Sequence, residues 1–156
     1  GFRSEFLTLT SGSGLLYHTF DKYGPIVQGL HTGRRNGALI SIGQGKALPY
    51  ALFNLQERGK MIIENGIEVY EGMIVGIHSR NNDLVVNPLK GKQLTNVRAS
   101  GNDEAVTLTT PVQVTLEFAL EFINDDELVE VTPKSLRIRK KFLKEHERKK
   151  AARAAS

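Results

Sequence analysis

The chain has 156 residues, a formal net charge of +4, 40% hydrophobic and 24% charged residues, and no cysteine. That length supports one ordinary core, or one core plus part of another, and the missing thiols exclude disulfide frameworks, thiolate zinc sites and cysteine nucleophiles. No apolar run reaches membrane-spanning length and the first residues lack a signal-peptide layout, so a soluble, cytoplasmic protein without membrane partners is expected; the start at Gly1, inside a regular element, predicts a piece of a longer chain.

Phe2, Phe6 and Leu9 recur at helical spacing, which predicts a helix over residues 1–10 that Ser11-Gly12-Ser13-Gly14 then breaks. Leu15 to Phe20 reads as a strand ending at Asp21-Lys22-Tyr23-Gly24-Pro25. A helix and a strand alone bury no apolar face, so they pack on something upstream or fold back on the rest of the chain. Gly24 to Gly37 is rich in Gly and Pro, with an Arg34-Arg35-Asn36-Gly37 turn, and reads as a domain boundary before the short strand Ala38 to Ile42. Gly43-Gln44-Gly45-Lys46 has the look of a phosphate-binding loop, but Ile40 stands where a glycine is required and Ala47 replaces the magnesium-holding hydroxyl. It is no nucleotide site. Leu48, Ala51, Leu52 and Leu55 mark one face of a helix, with Pro49 tolerated in its first turn and Gly59 placed to end it.

Lys60 to Glu64 predicts a strand, Asn65-Gly66 a hairpin turn, and Val69 to Ile77 a second strand. On that strand Val69, Glu71, Met73, Val75 and Ile77 share a face, while Gly72 and Gly76 thin the other, the mark of a bulge or a close backbone approach. After the polar excursion 78–101, Ala105 to Leu108 and Val112 to Val114 resume strand character around Pro111. Thr115 caps a helix whose Leu116, Ala119, Leu120 and Ile123 lie on one face. Asn124-Asp125-Asp126 turns the chain into a strand from Leu128 to Val131, ended by Pro133. Leu136 and Ile138 then alternate with Arg137 and Arg139, predicting a strand with one buried face and guanidinium groups on the other. From Lys140 onward the composition is helical and polar on all sides. About seven short strands and a pair of internal helices, without a strand-helix rhythm, argue for an α+β domain built on an antiparallel sheet or partly closed barrel.

Charge is unevenly placed. Glu117, Glu121, Asp125, Asp126, Glu127 and Glu130 form an acidic block, and a basic stretch follows from Lys134 into a tail at 140–156. Such a concentration is the footprint of a polyanion binder, against the plainer reading of a solvated helix.

The excursion 78–101 carries the most chemistry. Irregular connections of this length are functional or disordered, and Leu84-Val85-Val86, Leu89, Leu94 and Val97 are apolar enough to pin it to a body. Arg80, Lys90, Lys92 and Arg98 are interleaved with Asn81, Asn82, Asn87, Gln93, Thr95, Asn96 and Ser100. Guanidinium and ammonium groups neutralise phosphates, and amides pair with base edges or the ribose 2′-hydroxyl, the mixture that RNA recognition uses. No aromatic side chain lies in the loop, so backbone and shape recognition outweighs stacking there. His18, His31, His78 and His146 show no metal-ligand spacing. A nuclease reading, with His78 as base and Asp83, Asp103 or Glu104 holding magnesium, is the enzyme alternative; against it, carboxylates beside loop arginines more often orient the loop.

Several stretches together closely resemble the C-terminal part of the TypA/BipA family of ribosome-associated translational GTPases. They include Gly1-Phe2-Arg3-Ser4-Glu5-Phe6, Arg34-Arg35-Asn36-Gly37, Gly43-Gln44-Gly45-Lys46-Ala47, Gln56-Glu57-Arg58-Gly59, Glu68-Val69-Tyr70-Glu71-Gly72-Met73, His78-Ser79-Arg80, Asn82-Asp83-Leu84, Leu94-Thr95-Asn96 and Arg98-Ala99-Ser100. The resemblance covers essentially the whole chain. It implies that residues 1–26 are the last helix and strand of a ferredoxin-like unit similar to domain V of elongation factor G, and that 27–156 are the family's own C-terminal domain.

In the family that domain reaches the ribosomal A site, near the acceptor end of the A-site tRNA and large-subunit rRNA, and serves ribosome assembly and translation under stress or cold. The resemblance places GTP and magnesium in an upstream G domain, so this chain is expected to be non-catalytic, with no cofactor, metal or small-molecule substrate of its own. Carried over by position, the RNA-contact candidates are His78, Ser79, Arg80, Asn82, Asp83, Asn87, Lys90, Lys92, Asn96, Arg98 and Ser100, with Arg137 and Arg139 behind them. Asp83 reads as an orienting partner for a loop cation, and Lys90 stands where the family varies. The alternative is a protein-interaction domain that contacts upstream domains or ribosomal proteins, with RNA contact incidental.

Overall fold

A computed structural model describes the backbone of residues 6–10 and 15–18 and all of residues 34–91 and 107–156. The elements are β1 (Phe6–Thr10), β2 (Leu15–His18), β3 (Ala38–Ser41), β4 (Gly45–Lys46), α1 (Pro49–Leu55), β5 (Gly59–Met61), β6 (Glu68–Val69), β7 (Ile74–His78), β8 (Leu84–Val86), α2 (Leu116–Phe122), β9 (Glu127–Val131), β10 (Leu136–Lys140) and α3 (Glu145–Ala155). The class is α+β, as expected. Two compact units divide the chain: one holds β1, β2, α2, β9, β10 and α3 with Gly72–Ile74, and the other holds β3 to β6, α1, β8 and the rest of β7.

The first unit is built on a four-stranded sheet in the order β10-β9-β1-β2, every neighbour antiparallel. The helix expected over residues 1–10 is, over its described part, the strand β1. Its sequence, Phe-Leu-Thr-Leu-Thr, alternates apolar with β-branched polar residues, a period of two that outweighs three helically spaced residues. Both of its edges are paired, Leu7 opposite Tyr17 on one side and Val131 on the other. The described N-terminal strands thus join the sheet through β9, Glu127–Val131.

Within this sheet Leu128, Val129 and Ile138 are buried, and because Leu128 and Val129 are consecutive on β9 they point to opposite faces. The Thr115 hydroxyl accepts from the Phe118 amide at 3.1 Å and caps α2 as expected, a contribution of about 1 kcal/mol. The buried face differs from the expected one: Ala119, Phe122 and Ile123 are inside, while Leu116 and Leu120 are 40% and 39% exposed. Phe122 takes the inner position because the Arg34 guanidinium lies 4.0 Å over its ring and donates to its carbonyl at 2.8 Å.

That arginine belongs to a buried ionic cluster. Glu127, fully buried, receives both Arg34 nitrogens at 2.6 and 3.0 Å, the Lys140 ammonium at 2.9 Å and the Asn124 backbone N–H at 2.7 Å. Lys140 is 2% exposed and also meets Asp126 at 2.8 Å. Arg34 was expected as a turn residue and Lys140 within a basic, polar tail; each instead neutralises a carboxylate inside the unit. Gly72 completes this region: at φ +89° an added Cβ would fall 2.6 Å from the Leu143 Cα. The single strand expected from Val69 to Ile77 breaks at this glycine into β6 and β7.

Helix α3 buries no residue. Glu145 and Glu147 occupy its positive end, and Lys149 pairs with Glu145 at 2.7 Å, four residues on. The hydrogen bond from Lys149, and then its charge, hold the Glu145 carboxyl below its ordinary value. A depressed folded pKa stabilises the helix above the unfolded value and loses that contribution as pH falls through the folded one. Helix content followed by circular dichroism should therefore drop with acid in the native chain, and less so in Glu145→Gln.

The second unit contains a four-stranded sheet, β5-β7-β3-β8, and a two-stranded ribbon, β4-β6. Strand β3 is central and buried at all its residues, as a strand covered on both faces must be. Its partner β8 runs parallel to it, Leu39 opposite Leu84, so the sheet is not purely antiparallel, and no barrel closes among the described residues. Asn65-Gly66 turns the chain, Gly66 at φ +78°, and the expected strands pair antiparallel, Lys60 opposite Ile77 and Met61 opposite Gly76, while the residues nearest the turn differ, β6 pairing with β4. Helix α1 buries Ala51 and Leu52, with Pro49 in its first turn. Over 107–114 no strand forms; Pro111 offers no amide, and the segment is held by Val112 N to Met61 O at 2.9 Å and by Thr109 on Gln56 Oε1 at 2.7 and 3.0 Å.

Candidate nucleic-acid interface

The excursion that begins at His78 starts from a clamp on the first residues of β3. His78 N donates to Gly37 O and Gly37 N to Arg80 O, both at 2.8 Å. The Asn36 amide donates to His78 O at 3.0 Å, and Asp83 Oδ1 accepts from Ala38 N at 2.8 Å. His78 itself is 4% exposed, its Nδ1 2.5 Å from Asn82 O; a carbonyl only accepts, so Nδ1 carries the proton. Gly37 is required here, because a Cβ would stand 1.9 Å from Asn82 O.

Held this way, Ser79, Arg80, Asn81, Asn82 and Asp83 form a short exposed turn on an ordered base. The chain then returns into the sheet as β8, so Leu84-Val85-Val86 pins the excursion by strand pairing. The second limb follows directly: Asn87 Oδ1 accepts from Leu89 N at 3.0 Å, Pro88 O accepts from Leu48 N at 2.9 Å, and Lys90 is exposed.

The candidates therefore separate. Ser79, Arg80 and Asn82 share the first turn, and Asn87 and Lys90 lie exposed on the second limb. His78 faces inward and holds the turn, which removes its ring from the reach of a substrate and leaves the nuclease reading without its base. Asp83 orients the turn through the β3 backbone. Lys92, Asn96, Arg98 and Ser100, with Asp103 and Glu104, lie outside the described residues. Arg137 and Arg139 belong to the other unit, half-buried on β10, with Arg139 paired to Glu130 at 3.0 Å. In the tail, Arg148 turns back onto the carbonyls of Phe142 at 2.9 Å and Leu143 at 2.5 Å.

Two supports went unread in sequence: Asn36, taken as a turn residue, and Arg58, whose carbonyl accepts from Ser79 N at 2.9 Å. The one signal for the first was the Asn-Gly pair itself, which turns chains wherever it stands.

The family model described as the TypA/BipA C-terminal domain matches residues 36–145. Among curated proteins, the "Large ribosomal subunit assembly factor BipA" of Escherichia coli K12 is 64% identical over 99% of this chain. The proteins of the same name from Haemophilus influenzae and Buchnera aphidicola are each 63% identical, over 100% and 96% of it. The chain spans 24–25% of the length of these relatives. It belongs to the TypA/BipA family, whose C-terminal domain it contains.

Proposed function

We propose that this chain is a non-catalytic, cytoplasmic ribosome-binding domain that docks through RNA. In this reading the excursion 78–101 is presented to large-subunit rRNA and the acceptor end of an A-site tRNA, and the parent protein is a GTPase that acts in ribosome assembly and in translation under stress or cold. The domain uses no cofactor of its own. The observation that carries the reading is the exposed turn Ser79–Asp83, rich in amides and bearing Arg80, raised on a base that the body fixes through Asn36, Gly37 and Ala38. A prearranged polar turn loses little freedom on docking, and the relatives' name, large ribosomal subunit assembly factor, supports a ribosomal partner.

Arg80→Ala should weaken binding to bacterial ribosomes and reduce the slope of log affinity against log salt by about one, as for one lost phosphate contact. Thermal stability should stay within about 0.5 kcal/mol, since the side chain is exposed. An unchanged slope would remove Arg80 from the interface.

The exposed Leu116 and Leu120, one helical turn apart on α2, favour a second reading in which the chain chiefly meets proteins, upstream domains or ribosomal ones. Apolar protein contact is nearly insensitive to salt, which separates the two.

A further inference from the structure

The outward face of α1 has no role in the site described so far. Its inner face buries Ala51 and Leu52, while Tyr50 and Phe53 are 37% and 43% exposed. At a spacing of three, both rings lie on one side of the helix, and the exposed Asn54 and Glu57 continue the stripe. The ends of this stripe are fixed by the two limbs of the excursion. At its start Leu48 N donates to Pro88 O at 2.9 Å, beside the exposed Lys90; at its end Arg58 O accepts from Ser79 N at 2.9 Å, beside the exposed Arg80 and Arg58.

We propose that this face is a stacking platform for unpaired RNA bases, with Tyr50 and Phe53 as the stacking rings and the cations at either end holding the flanking phosphates. Stacking on aromatic rings beside cations that track the backbone is how single strands are held without sequence preference. The seven-residue helix α1 is about 10 Å long, room for about three nucleotides stacked at 3.4 Å. Asn54 and Glu57 add an amide for base edges and a carboxylate that accepts from a cytosine amino group. The arrangement supplies the aromatic component that the excursion itself lacks. A wholly apolar protein partner fits less well, because the stripe runs from aromatic into polar residues and ends at guanidinium groups.

The proposal rests on the RNA-docking reading above, and its test keeps the two apart. Binding of a fluorescent, unstructured 12-nucleotide RNA is measured for the chain, for Tyr50→Ala/Phe53→Ala and for Tyr50→Phe/Phe53→Tyr, each also pelleted with ribosomes. The alanine pair should lose roughly 5- to 150-fold in oligonucleotide affinity for each base unstacked with its salt slope kept, while the aromatic exchange retains binding. Thermal unfolding that matches the parent chain shows that both variants fold. Oligonucleotide affinity unchanged in the alanine pair, or no oligonucleotide binding by a chain that pellets with ribosomes, overturns the platform and leaves the docking reading standing. Ribosome pelleting lost in the alanine pair while its oligonucleotide affinity is kept also overturns it and assigns the face to protein contact. No salt-sensitive pelleting and no oligonucleotide binding by the parent chain overturns both.

Discussion

Glu127→Ala should destabilise the unit built on the β10-β9-β1-β2 sheet by about 3–5 kcal/mol, the range for breaking a buried ion pair from one side. The carboxylate is fully buried and lies between Arg34 at 2.6 Å and Lys140 at 2.9 Å. Its removal leaves two cations in a space that water does not reach, and the Asn124 backbone N–H loses its acceptor. Asp126 still meets Lys140 and is 62% exposed, so part of one charge stays compensated and the lower half of the range is expected. Replacing Arg34, Glu127 and Lys140 together by Met, Leu and Met should cost far less, because no buried charge is left unpaired and Asp126, which loses Lys140, is exposed to water. Urea unfolding checks both: the midpoint should fall in Glu127→Ala with the slope unchanged. An unshifted midpoint would mean that the cluster is solvated in solution.

Gly37→Ala should be comparably damaging, at about 3 kcal/mol, the upper end for overpacking. The added carbon meets Asn82 O at 1.9 Å, Asn82 C at 2.2 Å and Asp83 N at 2.7 Å. All three are backbone atoms, so no side chain swings away to make room. Relief requires the turn to lift from β3, which breaks the exchange between Gly37, His78 and Arg80 and draws Asp83 from Ala38. Stability and ribosome binding should fall together here, whereas Arg80→Ala should lower binding alone. Amide spectra check this: resonances of 78–83 should shift in Gly37→Ala, and a spectrum unchanged there would contradict the clamp.

What was legible in sequence had local causes. Thr115 caps its helix through its own hydroxyl, Pro49 fits a first turn, and the alternation at Leu136 to Arg139 marks a strand whatever it pairs with. What was not legible depends on partners far along the chain. β1 carries a period of two beside its helical spacing, and pairing with residues 128–131 decides between them, while three residues at 84–86 form a strand because β3 offers an edge. Arg34 and Glu127 stand 93 residues apart, so no window joins the halves of that cluster. For the candidate site, residue types pointed to Ser79, Arg80 and Asn82. The inward turn of His78 depends on the Asn82 carbonyl, which only the closed turn brings to its ring.

The parallel β8 also shapes how the central claim is tested. Deleting residues 80–98 would strip a strand from the sheet, so substitutions serve better. The most direct measurement is co-sedimentation of the chain with bacterial ribosomes across a salt series, beside Arg80→Ala/Lys92→Ala/Arg98→Ala. Pelleting that falls with salt, and a variant whose slope is shallower by about three, is the expected result. Equal pelleting of the two with equal salt dependence would contradict docking through this stretch.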